Sequence, residues 1–369
     1  MQKLNTRAFF YCSSKGVEYP IDDDYNRIIE DCGRPLTILY DYEHIEWKPK
    51  GRGLQRYSFL LPLTPPYTGE GSTPLVEAAN AVFKLDYMNP SGSFKDRGTL
   101  LALSYAKLKG WREVIEDTSG NTGISIAFYA NILGMRATII MPAGAPEGKK
   151  KLVKLLGGRI IEARDRSNAR EKAIELVDEK HYYVNHLESP FYIEGAKTIA
   201  FEIFEDIGVP DTVIAPIGSG GLILGVYKGF QELRSLGLTT RIPRLVGIQG
   251  CSAPPVYEAL HGKINTRECS SHYADGIMVR NPPRLAEIVE AIRKSGGTVI
   301  LVDNNDVRRG LRELISMGFI VEPTSAVVWA GIQAGQGGRG DSTSNPRTIR
   351  AAILTGSGLK MLDFIASIL

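Results

Sequence analysis

Long apolar runs are missing from this chain. No stretch approaches the roughly eighteen apolar residues of a membrane-spanning helix. The opening Met1-Gln2-Lys3-Leu4-Asn5-Thr6-Arg7 lacks the apolar core of a secretory signal. An excess of one charge is missing too. The 44 Lys and Arg stand against 41 Asp and Glu, a net +3, which marks neither a nucleic-acid partner nor a membrane-surface protein. Cysteine is scarce, and Cys12, Cys32, Cys251 and Cys269 are scattered without metal-ligand spacing. Each reads as a small buried or half-buried residue, which fits a reducing cytoplasm. The GxGxxG spacing of a dinucleotide-binding turn is absent, as is a Walker lysine after a glycine run. No internal repeat is found. These absences leave a cytoplasmic protein with a small-molecule substrate.

What is present is a large apolar fraction, 43% of 369 residues, enough for a sizeable core in two or three lobes. Residues 1–70 are rich in Tyr, Asp and Arg with weak periodicity, and read as an N-terminal extension packed on the main body. After Gly71 short β-branched runs alternate with helical patterns. Strands are expected at Val114–Thr118, Ala137–Met141, Arg159–Ala163, Tyr182–Asn185 and Thr212–Ile217, each followed by a helix, with further strands at Leu245–Gln249, Val299–Val302 and Ile349–Leu354. Such alternation implies an α/β fold with parallel-rich twisted sheets and helices on both faces. Ligands in such folds lie outside the carboxyl ends of the strands. Residues 337–346 form a polar Gly/Ser-rich stretch, expected to be a mobile loop without chemistry.

One stretch organises the rest: Asn89-Pro90-Ser91-Gly92-Ser93-Phe94-Lys95-Asp96-Arg97-Gly98. Asn-Pro and Ser-Gly are turn chemistry, and Ser93 followed by Asp96 is a capping-box pattern opening a helix. Lys95 then lies in the first helical turn, where the macrodipole disfavours a cation; if also desolvated, it becomes a nucleophilic amine. A capped surface helix with a solvated lysine has the same pattern.

Three small-residue turns fall at strand ends. Ser119-Gly120-Asn121-Thr122-Gly123 offers hydroxyls, an amide and helix-start N–H groups suited to a carboxylate or phosphate, or is an ordinary capped turn. Gly218-Ser219-Gly220-Gly221 lets a backbone approach an oxyanion closely. Thr355-Gly356-Ser357-Gly358 is the third, and Glu322-Pro323-Thr324-Ser325 opens a helix with plain capping as the simple reading. A reactive-lysine candidate and an anion cradle on one parallel sheet suggest pyridoxal 5'-phosphate held as a lysine Schiff base.

From about Arg56 onward the chain resembles the fold type II pyridoxal-phosphate enzymes, and among them the threonine synthase family. The residues that carry the likeness are Gly69-Glu70-Gly71-Ser72-Thr73-Pro74-Leu75, the lysine stretch, Glu194-Gly195-Ala196-Lys197-Thr198 and Thr355-Gly356-Ser357-Gly358-Leu359-Lys360. The resemblance implies that Lys95 carries the cofactor and shuttles protons, with Phe94 near its ring. It gives Asn121 the cofactor's 3-hydroxyl, Gly218, Ser219, Gly220 and Gly221 its phosphate, and Thr355 its pyridine nitrogen. Ser119, Gly120, Asn121 and Thr122, with Tyr192, would meet the substrate. The family's paired-cysteine form is missing, so no metal is expected. A large domain of 71–110 and 209–369, a smaller mobile domain of 111–208 and a homodimer are expected.

The implied activity is amino-acid biosynthesis: γ-elimination from O-phosphohomoserine, then addition of water at Cβ. Two departures stand against it. The Ser-Gly-Asn-Thr-Gly turn is more similar to cysteine synthases, and Tyr192 stands where the family carries a phosphate-binding arginine. These favour a serine/threonine dehydratase or a β-replacement enzyme, and predict that Tyr192→Arg improves use of a phosphorylated substrate. Lys149, Lys150 and Lys151 could supply charge or simply coat a helix. A catalytically silent relative of the fold is the remaining alternative.

Overall fold

The computed structural model describes residues 3–178, 180–265, 269–336 and 348–369, with side chains to residue 334 in the third segment. The stretch 337–346 lies outside them. By its contacts the chain divides into two units. The first is Met1–Ser72, Asn89–Ser91 and Lys95–Thr198; the second is Thr73–Met88, Gly92–Phe94 and Ile199–Leu369.

The first seventy residues are more ordered than their weak periodicity suggests. β1 (Lys3–Leu4) pairs with β5 (Leu63–Thr64), and β2 (Ala8–Cys12), β3 (Val17–Pro20) and β4 (Thr37–Tyr40) form an antiparallel sheet in the order β3-β2-β4. Along β2 burial alternates, as a sheet with one face on a core requires. The Phe10 ring from β2 meets Tyr25, Tyr105 and Phe191 at 5.5, 6.0 and 6.2 Å. These aromatic contacts tie the segment to the rest of the first unit. Cys12 and Cys32 are joined, with Cα atoms 5.8 Å apart, and Cys251 is joined to Cys269. All four cysteines are buried or half-buried, as expected, but they are disulfide-bonded, and the argument from reduced thiols to a cytoplasmic location falls.

In the second unit β6 (Leu75–Ala78) and β7 (Ala81–Lys84) make a hairpin closed by Ala79 and Asn80 at φ 47° and 64°, the left-handed pair that matches strand twist. The first unit then contributes β8 (Glu113–Asp117), β9 (Arg136–Pro142), β10 (Arg159–Ala163) and β11 (His181–Tyr183), all parallel, in the order β10-β9-β8-β11. The second unit completes its sheet with β12 (Thr212–Pro216), β13 (Arg244–Gly250), β14 (Thr298–Val302) and β15 (Arg350–Ile353). Its order is β14-β13-β12-β15-β7-β6, parallel except for the β6 edge. The expected strands are found within a residue or two of their bounds. β6 was not anticipated, because four residues following Pro74 are too short a run to show a period.

The helix Lys95–Leu108 was expected with the larger domain. It instead packs on Asn121–Leu133 in the first unit and is buried from Asp96 to Ala106. A helix buried on nearly every side shows no stripe to mark its partner. It also meets Pro190–Ile207 at two glycines. A Cβ on Gly195 would lie 2.3 Å from the Arg97 carbonyl carbon, and one on Gly98 would lie 2.6 Å from Tyr192 Cα. Backbone therefore rests on backbone, which only glycine allows. No helix of the described residues is long and apolar enough to cross a membrane.

Candidate active site

In the first unit the carboxyl ends of four neighbouring parallel strands converge, as the sheet rule requires. Ser119–Thr122 follows β8 and opens the helix Asn121–Leu133; Lys149 lies in Glu147–Leu155 after β9; Arg166 begins the helix after β10; His186 and Tyr192 follow β11. Arg166 Nη2 donates to Ser119 Oγ at 3.1 Å. Lys149, only 7% exposed, crosses Gly120 so closely that a Cβ there would stand 3.0 Å from its Nζ. Two cations from different helices thus meet at Ser119-Gly120. The three lysines do not act alike. Lys150 is tied to Glu147 and Glu162 at 3.1 and 3.0 Å, and Lys151 is exposed.

Lys95 is the first residue of its helix and is half-buried. Its Nζ stands 5.9 Å from the centre of the Tyr192 ring. The capping pattern is built differently from the sequence expectation. Asp96 accepts from the Ser91 N–H and from Ser125 Oγ, both at 2.7 Å, and Ser93 Oγ is buried with no hydrogen-bond partner. The Asp96 carboxylate therefore braces the turn before Lys95 from Ser91, not Ser93. Tyr192 is 5% exposed and its hydroxyl lies 2.9 Å from Thr99 Oγ1.

Sequence reasoning passed over Glu116. Its carboxylate is fully buried, with Oε1 2.7 Å from His186 Nδ1. Burial pushes the Glu116 carboxyl up to about 8, against a smaller downward pull from the His186 N–H and Lys95. Burial, helped by Lys95, pushes His186 down to about 3. The only prior sign was an acid amid the apolar run of a strand.

In the second unit β7, β15 and β12 are neighbours, and the turns after them gather the other candidates. Phe94 N–H donates to the Thr355 carbonyl at 3.0 Å, and Thr355 N–H donates to Ser325 Oγ at 2.9 Å. The backbone of Thr355 is held from two sides while its Oγ1 is buried with no hydrogen-bond partner. Ser325 thus has a function beyond helix capping. In the glycine turn Gly220 has φ 92°, and a Cβ on it would strike Ile288 Cδ1 at 2.2 Å; a Cβ on Gly221, the first helical residue, would meet nothing within 4 Å. A tight turn, open space before a helix N-terminus and two orphaned hydroxyls, Ser93 and Thr355, fit pyridoxal phosphate: the turn suits its phosphate and a hydroxyl suits its ring nitrogen.

The pyridoxal-phosphate dependent enzyme family matches residues 67–344. The chain is 31% identical over 353 residues to the threonine synthase of Methanosarcina acetivorans, spanning 87% of this chain and 85% of that protein. It is 32% identical over 350 residues to the threonine synthase of Methanocaldococcus jannaschii, spanning 87% and 86%. Among solved structures it is similar in fold to a serine racemase from maize, with TM-score 0.67 at 22% identity over 80% of this chain and 91% of that one. It is likewise similar to a fungal L-serine ammonia-lyase from Rhizomucor miehei, with TM-score 0.69 at 19% identity over 80% and 97%.

Proposed function

The chain belongs to the pyridoxal-phosphate-dependent enzymes of fold type II and is most like threonine synthase, and from that premise we propose that it converts O-phosphohomoserine and water to threonine and phosphate. It is a pyridoxal-phosphate-dependent lyase. The observation that carries the choice of a phosphorylated substrate is the meeting of Lys149 and Arg166 at Ser119-Gly120. Together they supply the positive charge that Tyr192 cannot.

When bound, the cofactor supplies an electron sink for the carbon bearing the substrate's amine. Lys95 would hold it and, once released, move protons at the substrate's Cα and Cβ. Phe94 would flank its ring and Asn121 would donate to its 3-hydroxyl. Gly218, Ser219, Gly220 and Gly221 would hold its phosphate with backbone N–H groups. Thr355 Oγ1 would meet the ring nitrogen as a neutral partner. Ser119, Gly120, Asn121 and Thr122 would orient the substrate's anionic groups, with the Tyr192 ring as an apolar wall.

The test is the stoichiometry of phosphate and threonine formed from O-phosphohomoserine by the cofactor-loaded protein. Serine, threonine, and O-acetylserine with sulfide serve as comparators. Equal amounts of phosphate and threonine are expected. Keto-acid production from serine or threonine, without threonine synthesis, would instead establish the dehydratase reading that Tyr192 and the Ser-Gly-Asn-Thr-Gly turn favour.

A further inference from the structure

One buried pair in the first unit has no part in those roles. Glu116 is the penultimate residue of β8, and His186 follows the parallel neighbour β11, whose Tyr183 is in register with Ile115. Parallel pairing therefore brings the two side chains to one edge of the sheet. Glu116 Oε1 lies 2.7 Å from His186 Nδ1, and Oε2 accepts from the His186 backbone N–H at 3.2 Å. Both oxygens are engaged by one residue, which fixes the imidazole plane. Nε2 is its remaining polar atom, and 13% of the side chain stays open. The imidazole stands 6.0 Å from the Tyr192 ring, the same ring that has Lys95 Nζ 5.9 Å from its centre.

The charged neighbours favour a neutral pair. Lys95, Arg170 and Arg166 all act against a charge on His186, with Asp117 opposing them. Burial raises the Glu116 carboxyl above neutrality. At neutral pH the carboxyl keeps its proton and donates it to Nδ1, so the imidazole carries its own proton on Nε2.

We propose that His186, set in place by Glu116, donates the proton that the leaving oxygen of the substrate requires. This deepens the reading above and rests on an oxygen leaving group. When the Cγ–O bond breaks, its electron pair stays on the phosphate oxygen, and the group departs as a trianion unless a proton arrives. The Nε2 proton passes to that oxygen, the Glu116 proton passes to Nδ1, Glu116 becomes a carboxylate and hydrogen phosphate leaves. One proton from solvent restores the pair. His186 is the catalytic residue of the two, and Glu116 is a positioning residue that also refills it.

The test uses Glu116→Gln and His186→Gln in the cofactor-loaded protein. In Glu116→Gln the amide oxygen can still accept from the His186 N–H, leaving its NH2 to donate to Nδ1, so geometry and tautomer survive while the relayed proton is gone. With O-phosphohomoserine kcat is expected to fall ~100-fold in both variants, as loss of general acid catalysis does, with KM little changed. With 2-amino-4-chlorobutanoate, whose chloride leaves without a proton, kcat is expected to hold. Nitrogen NMR of labelled histidine is expected to show His186 protonated on Nε2 in the unmodified protein and in Glu116→Gln. Equal losses on both substrates, or an Nδ1-protonated His186, would overturn the proposal. If the unmodified enzyme ignores O-phosphohomoserine, the function above fails. The donor is then judged by O-acetylserine or serine against 3-chloroalanine.

Discussion

The Tyr192 hydroxyl and Thr99 Oγ1 lie 2.9 Å apart, and the Tyr192 ring and backbone crowd Gly98 so closely that a Cβ there would come within 2.6 Å. Position 192 thus offers a ring to the site and keeps its one polar atom inside. This reverses the expectation that Tyr192→Arg improves the enzyme. An arginine there would lose the Thr99 contact, stand against the Lys95 ammonium and have no room to leave. Tyr192→Arg is expected to lower Tm sharply without improving use of O-phosphohomoserine. Tyr192→Phe is expected to lower unfolding free energy by about 1 kcal/mol, the size of one hydrogen bond, as read from urea unfolding.

Lys95 is expected to be the lysine that carries the cofactor. Borohydride reduction and peptide mapping should label it and no other lysine. Lys95→Ala should abolish turnover and keep the fold, since the side chain is half-buried at a helix start and the helix is held by Asp96 and the Gly98–Tyr192 contact.

Gly220 is a poor probe of the phosphate cradle, because its φ of 92° and the nearby Ile288 penalise any side chain. Gly221 is the better one, with open space at its Cβ. Gly221→Asp places a carboxylate at the helix N-terminus where the phosphate should bind. Cofactor affinity is expected to drop by about tenfold or more, the equivalent of one charged contact of roughly 1.5–3 kcal/mol, while the Tm of the cofactor-free protein is unchanged. An unaltered titration with pyridoxal phosphate would mean that the turn is only structural.

Arg166→Gln and Lys149→Gln are expected to raise KM for O-phosphohomoserine by roughly tenfold each, in line with a charged contact. The effect on serine, which carries a carboxylate but no phosphate, should be smaller. Inhibition by inorganic phosphate should weaken in parallel and should fall with added salt.

Stability should carry the mark of Glu116. Its carboxyl is raised to about 8 in the folded protein from an ordinary value of about 4.3 when unfolded. Between those values the folded chain binds the extra proton, so stability is full below the lower one and declines as pH rises toward 8. His186, lowered to about 3, works oppositely below its ordinary value of about 6.5, so the decline should emerge between roughly pH 6.5 and 8. Unfolding free energy is expected to fall over that range in the unmodified protein and to fall less in Glu116→Gln. A pH dependence identical in both would place the proton elsewhere.

Alternation of β-branched runs with helical patterns was enough to read the parallel sheets. Strand Arg159–Ala163 was read to the residue, because periodicity and turn residues are local properties of the chain. The lysine stretch and the glycine turn were legible for the same reason, as contiguous residues whose chemistry does not depend on distant partners. Only the tertiary structure decided what converges. Lys149, Arg166 and His186 follow different strands and Glu116 lies near the end of β8, and the order β10-β9-β8-β11 brings these carboxyl ends to one edge. Membership of the units was likewise invisible in sequence, since a helix as buried as Lys95–Leu108 has no polar face to say which neighbour it lies on. Cys12 and Cys32, twenty residues apart, become partners because β2 and the end of the helix Tyr25–Cys32 meet in space, a proximity that spacing alone does not encode.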